Sequence, residues 1–143
     1  MLIRKIFMLK NSTGFSLLEI IIALGIIALV SSIATIAYRK YLIRAHRLDA
    51  KMALLKVSTA MERYYTQHNS YQDATFTNLG ISKSSKHKFY ELQLITQKHS
   101  FIIKATPIGS QKTDRLCNKF VLNQIGGKSI TGTSKSPIQE CWS

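Results

Sequence analysis

An apolar run from Phe15 to Tyr38 constrains this chain more than any other feature: its 24 residues carry a single charge, Glu19. As a helix the run is long enough to cross a bilayer. A carboxylate within a spanning segment costs about 2.5–3.5 kcal/mol on insertion scales, so its placement at the mouth of the run calls for a partner. An ordinary secretory signal has a shorter apolar core followed by a small-residue cleavage site, and no Ala-x-Ala pattern follows this one. A plain single-span anchor would match the length but has no need of Glu19.

The run divides the chain into a basic leader, residues 1–14, a spanning or filament-core segment, 15–38, and a remainder, 39–143. About 100 residues lie beyond the run, enough for one modest hydrophobic core. The chain has two cysteines, Cys117 and Cys141. In an oxidising compartment they would close a loop of about 25 residues worth roughly 3–4 kcal/mol by chain entropy; two unrelated buried thiols are the alternative, weakened by the spanning segment ahead of them. One signal points the other way. Arg39, Lys40, Arg44 and Arg47 follow the run whereas the leader holds Arg4, Lys5 and Lys10, and a simple count of basic residues would leave the C-terminal side in the cytoplasm.

Past the run the helical pattern continues without Gly or Pro until after residue 69. Ala50, Ala53, Leu54, Val57, Ala60, Met61 and Tyr64 recur at three-and-four spacing on one face, with Arg44, Arg47 and Lys51 on another. This predicts one helix from Phe15 to about Thr66, apolar all round in its first half and amphipathic in its second. The remainder reads as antiparallel sheet: Tyr90, Leu92 and Leu94 alternate with Glu91 and Gln93, Phe101, Ile103 and Ala105 with Ile102 and Lys104, and Phe120 and Leu122 with Lys119 and Asn123. Pro107 and Gly109 end the second strand, and Gly126-Gly127 separates the third from a short fourth near Lys128–Thr131. Residues 67–88 form a polar connector anchored by Tyr71 and Phe76. The class is α+β.

The string Gly14-Phe15-Ser16-Leu17-Leu18-Glu19, set between a basic leader and an apolar helix, resembles the class III signal of type IV prepilins. The resemblance implies cleavage between Gly14 and Phe15 by a prepilin peptidase, N-methylation of Phe15, and a role for Glu19 in assembly. The head resembles minor pilins of the PilE type: Glu62-Arg63-Tyr64-Tyr65-Thr66-Gln67, Asn69-Ser70-Tyr71, Ala105-Thr106-Pro107-Ile108-Gly109, and Cys117 through Leu122, Gly126 and Lys128 to Cys141-Trp142. Close relatives of that group include a DNA-binding pilin of natural transformation. The fold implied is a long helix on a four-stranded antiparallel sheet, with a Cys117–Cys141 disulfide closing the C-terminal loop. The partners implied are other major and minor pilins, the inner-membrane assembly platform and membrane lipid before assembly. The implied location is the bacterial inner membrane with a periplasmic head, then the surface pilus. The sequence departs from the family where a helix-breaking proline and a mid-helix glycine are usual: Ile36 and Ala28 stand there.

The expected role is a minor subunit that primes or completes the filament and serves adhesion or twitching. Two alternatives are a DNA-binding pilin and a pseudopilin of type II secretion. The formal net charge is +13, and removal of the three leader cations still leaves a strongly basic chain. Such a field attracts phosphate, with affinity that falls as salt rises. Lys83, Lys86 and Lys88, with Lys112, Arg115 and Lys119, are candidate edges of a DNA-binding patch; a solvated basic surface is the simpler reading. No enzyme, metal or cofactor is expected. His46, His68, His87 and His99 lack metal-ligand spacing, and no phosphate loop or nucleophile motif occurs.

Overall fold

The computed structural model describes residues 14–131 and 138–143. Of the expected leader only Gly14 falls among them; the rest of it lies outside the described residues. By its internal contacts the chain forms two units, one ending at Tyr38 and the other running Arg39–Ser143.

Helix α1, Leu17–His68, crosses that boundary as one uninterrupted element. Its residues up to Tyr38 are all exposed, and an 18-residue window of α1 reaches a mean hydropathy of 2.7 with none of it buried by the chain. Of the three hydroxyl groups in mid-run, those of Ser32 and Thr35 are satisfied locally: Ser32 Oγ donates to the Leu29 carbonyl at 2.7 Å and Thr35 Oγ1 to the Ser32 carbonyl at 2.9 Å. Neither therefore needs water, which suits a segment surrounded by hydrocarbon or by other helices. With Ile36 and Ala28 in place of breakers, nothing in the local chemistry interrupts the backbone ladder.

In the second unit α1 buries Ala50, Leu54, Val57, Ala60 and Met61, the face expected from their spacing. Arg47, placed by spacing with Arg44 and Lys51 on another face than the apolar stripe, is also buried, at 6% exposure. The reason is a carboxylate contributed from far along the chain, described below. The helix outlasts the expected end by two residues and stops at His68, where Asn69 takes a left-handed φ of 53° and its N–H donates to the Tyr65 carbonyl at 2.7 Å. Asn tolerates that conformation and caps the helix in the absence of glycine.

The sheet is antiparallel in the order β1-β2-β3-β4, with β1 Tyr90–Thr96, β2 Phe101–Pro107, β3 Lys119–Asn123 and β4 Lys128–Thr131. Register places Leu92 opposite Ala105 and Leu94 opposite Ile103; Ile103 and Ala105 in turn face Leu122 and Phe120. One face of the sheet thus meets the buried stripe of α1 in a single core. Each large side chain removed from water there stabilises the head by about 1.5–3 kcal/mol. The connector is held as expected by Tyr71 and Phe76, both buried, and the Tyr71 ring meets Phe101 edge-on at 4.9 Å. Between β3 and β4, Gly126 has a φ of 74°, and the Gly127 N–H donates to Asn123 Oδ1. A Cβ on Gly127 would come within 2.6 Å of the Asn123 side chain, so the turn admits only glycine there unless that side chain moves.

Two small elements escape the periodicity analysis, a 3-10 turn at Gly109–Thr113 and helix α2, Ile138–Trp142. Five residues are too few for either to leave a hydrophobic repeat. The Cys117–Cys141 disulfide, with Cα atoms 5.6 Å apart, ties α2 to the start of β3. Trp142 lies edge-on to Phe120 at 5.5 Å and donates from Nε1 to the Ser129 carbonyl at 3.3 Å. The loop closure expected at the C-terminus is therefore made by a covalent bond and an aromatic seat together.

Candidate functional site

Gly14, Phe15 and Ser16 precede the helix, have no regular structure and are exposed. Ordering begins where the Ile20 N–H donates to the Ser16 carbonyl at 3.2 Å. The Gly14–Phe15 peptide bond thus lies in an exposed segment outside the helix, with no atom within 4 Å of the place a Gly14 side chain would occupy. A peptidase needs such a segment, because a bond within a helix is already committed to the backbone ladder. Glu19 sits in the first turn of α1, where the exposed N–H groups favour a negative charge. Phe15 and Glu19 are four residues apart, and both are exposed.

The basic residues singled out by sequence separate into distinct clefts. Lys86 and Lys88 line a cleft of about 650 Å³ with Asp49, Met52, Leu55, Lys56, Ile81 and Leu92. Lys83 is exposed beside it, and its carbonyl accepts from the Leu92 N–H at 2.7 Å. The loop carrying these lysines is pinned to α1 by Asp49: His87 Nδ1 is 3.1 Å from Asp49 Oδ1, and the His87 backbone N–H donates to the same carboxylate. Arg115 instead lines a cleft of about 300 Å³ with Lys40, Ile43, Arg44 and Leu116. Lys112 is exposed on the 3-10 turn just before it, and Lys119 is exposed at the start of β3. Sequence reading did not single out Lys56, Lys40 or Arg44 as members of these clusters, because each enters from α1, more than 20 residues from the lysines it joins.

Beneath the second cleft lies a buried polar network. Arg47 donates from Nε to Asp114 Oδ2 at 2.7 Å and from Nη2 to Oδ1 at 2.9 Å. Gln111, fully buried, donates from Nε2 to the Ile43 carbonyl and to Tyr90 Oη, each at 3.0 Å. His46 Nδ1 is 3.2 Å from Gln111 Oε1, which can only accept, so the ring proton resides on Nδ1; the imidazole stacks on Phe89 at 3.6 Å. Burial drives the Tyr90 hydroxyl pKa far above its usual value, and the Asp114 charge adds to that. On the neighbouring side Lys51 donates to the Ser143 carbonyl oxygen, and desolvation, then the charges of Arg47 and Lys128, lower its pKa. Arg47 and Asp114 line the second cleft and His46 lines another of about 460 Å³; the observed work of the network is to hold residues 109–118 against the helix.

The long helix, the four-stranded antiparallel sheet and the disulfide-closed C-terminus define a type IV pilin fold. Two solved structures share it. The non-core minor pilin PilV of Neisseria meningitidis superposes with a TM-score of 0.55 at 23% identity, over 67% of this chain and 93% of that one. A type IV pilin from Shewanella oneidensis gives 0.52 at 22% identity, over 71% and 98%. Residues 37–121 match the family described as type IV minor pilin ComP, DNA uptake sequence receptor, and residues 9–35 match the prokaryotic N-terminal methylation motif. The chain therefore belongs to the ComP family of type IV minor pilins. Fimbrial proteins of Neisseria meningitidis serogroups B and A are 25% and 26% identical over 118 residues. That alignment takes in 82% of this chain and 63% of each relative, so the chain matches somewhat less than two thirds of their length.

Proposed function

We propose that this chain is a minor subunit of a type IV pilus, cut between Gly14 and Phe15, methylated on Phe15, anchored by residues 15–38 and then built into the filament. The observation that carries this reading is the methylation motif over residues 9–35, followed directly by the minor-pilin match over 37–121. The bare apolar half of α1 supports it, since that surface is stable only when lipid or other helices cover it. Before assembly the head is periplasmic; afterwards it is on the cell surface. The partners are a prepilin peptidase, the assembly platform and other pilins. Pilins are structural proteins, and no catalytic role is assigned.

Cleavage creates an ammonium on Phe15, one helical turn from Glu19. In a water-poor filament core the Glu19 carboxylate of one subunit and the Phe15 ammonium of its neighbour can neutralise each other, which sets the axial register. Glu19→Ala should still be cut and methylated, yet be depleted at least tenfold from sheared filaments. Equal incorporation by quantitative mass spectrometry would refute the register role. N-terminal sequencing of the filament-borne chain should begin at methylated Phe15; a chain that retains Met1 and is absent from filaments would refute the pilin reading.

A second reading, a DNA-binding head for natural transformation, is favoured by the family's description as an uptake-sequence receptor and by the excess of positive charge. Lys83, Lys86 and Lys88 form one set of phosphate contacts, and Lys112, Arg115 and Lys119 another. Binding to duplex DNA should then weaken as salt rises and fall when either set is neutralised. A type II secretion pseudopilin remains the rival for the assembly role, and loss of secretion with filaments intact in a deletion strain would favour it.

A further inference from the structure

The basic residues just beyond the apolar run, anomalous by the usual charge bias of membrane proteins, have separate structural fates. Arg47 turns inward to Asp114. Lys40 and Arg44 instead stay exposed and line the 300 Å³ cleft into which the segment after the 3-10 turn brings Arg115, a residue 71 positions beyond Arg44. Among the described residues none of these three cations lies within ion-pair distance of a carboxylate, because the nearby Asp114 is already engaged by Arg47 on two oxygens. The one other acidic group close by, Glu140, lines the adjoining cleft with Arg44, Lys51 and Ser143. Between the cations the lining combines two apolar side chains, Ile43 and Leu116, the latter 48% exposed, with Thr113 and the already paired Arg47 and Asp114.

We infer that the cleft formed by Lys40, Arg44 and Arg115 binds the phosphate headgroup of an anionic phospholipid while the subunit is anchored in the membrane. The inference rests on the membrane-anchored reading of residues 15–38. Position favours lipid over other anions. At 1.5 Å per residue the helical part of the run, Leu17–Tyr38, extends roughly 33 Å, a little more than the ~30 Å hydrocarbon core, and the headgroup layers add several ångströms on each side. Lys40 follows the run by two residues, roughly 3 Å, and Arg44 by six, roughly 9 Å, so α1 itself delivers both charges to headgroup depth. Tyr38 and Tyr41, 61% and 66% exposed, supply the amphipathic rings that favour this interface. A guanidinium from each side, Arg44 and Arg115, can grip phosphate oxygens through paired N–H donors, with Lys40 as a third positive charge. The exposed edge of Leu116 then faces the start of an acyl chain. The cations that a simple charge count sets against an exported head become a reason for it to stay close to the leaflet it emerged from.

The test uses the full chain reconstituted in phosphatidylcholine bilayers that contain trace spin-labelled lipid. Selectivity for spin-labelled phosphatidylglycerol over spin-labelled phosphatidylcholine should be fivefold or more. It should fall by about fivefold in Arg115→Gln, from the usual strength of one basic residue at an anionic surface, and to unity in Lys40→Gln/Arg44→Gln/Arg115→Gln and in high salt. Arg115→Gln alters an exposed loop side chain, so it tests the cleft even where the triple variant fails to fold. Equal selectivity for the two lipids in the unaltered chain, or phosphatidylglycerol selectivity that is undiminished in Arg115→Gln, overturns the inference. If lipid selectivity is absent while the same substitutions abolish binding to a DNA duplex, the cleft serves nucleic acid and the lipid assignment is wrong. Failure of the chain to enter the bilayer overturns the anchored reading as well; insertion without selectivity overturns the cleft assignment alone.

Discussion

Arg47 on α1 and Asp114, 67 residues later, form a two-pronged ion pair with distances of 2.7 and 2.9 Å, and their side chains are 7% and 1% exposed. Asp114 also accepts from the Cys117 N–H, so this pair fixes the segment that leads into the disulfide. Removal of one partner strands a buried charge. Asp114→Ala should destabilise the head by about 3–5 kcal/mol, whereas Arg47→Met/Asp114→Leu should recover most of that loss. Urea unfolding of the three variants tests this; a double variant as unstable as the single one would show that the pair itself, and not the stranded charge, governs stability.

Cys117→Ser/Cys141→Ser should lower stability by about 3.5 kcal/mol, the chain-entropy value for a loop of this length. The loss should be accompanied by release of Trp142 from its seat against Phe120, read as a red shift of its fluorescence, Trp142 being the chain's one tryptophan. Unfolding in the presence and absence of reductant provides the same comparison in the unaltered chain.

Burial raises the Tyr71 hydroxyl pKa to about 12, and its hydrogen bond to the Glu62 carboxylate adds to the rise. The unfolded value is near 10, so the folded state holds this proton more tightly. The associated stability is fully present below pH 10 and is lost as pH climbs from 10 through 12. Tyr71→Phe should flatten the alkaline decline of the melting temperature over that window. The decline should not vanish, because buried Tyr90 is raised as well.

Gly126→Ala places a Cβ on a residue with a φ of 74° and should cost about 1–2 kcal/mol, although nothing within 4 Å obstructs the new methyl. The cost is conformational and local. Gly80→Ala, at a φ of 64° and equally unobstructed, should cost a similar amount, and a near-zero change at both sites by thermal unfolding would refute the backbone account.

Much of this architecture follows from local pattern. The alternation at Tyr90–Leu94, Phe101–Ala105 and Phe120–Leu122 marks the faces of three strands, because a pleated strand exposes every second side chain whatever it pairs with. The Gly14-Phe15…Glu19 string lies within the methylation-motif match over residues 9–35 and was legible for an equally local reason: such a motif is a short stretch of contiguous residues. The 3-10 turn and α2 left no periodic trace, since each is barely longer than one turn.

Charge was the hardest property to read in one dimension. Arg44 and Arg47 stand one turn apart on the same helix with the same side chain, and both belong by spacing to a polar face. The sequence by itself determined the apolar run, the amphipathic continuation, the strand faces and the placement of the two cysteines. Only the tertiary structure decided that Arg47 is buried while Arg44 stays exposed, and that Arg115 joins Lys40 and Arg44 rather than Lys86 and Lys88. The physical reason is that a charged side chain is buried only where folding brings it a partner, and Asp114 reaches Arg47 through contacts 67 residues apart that no local pattern encodes.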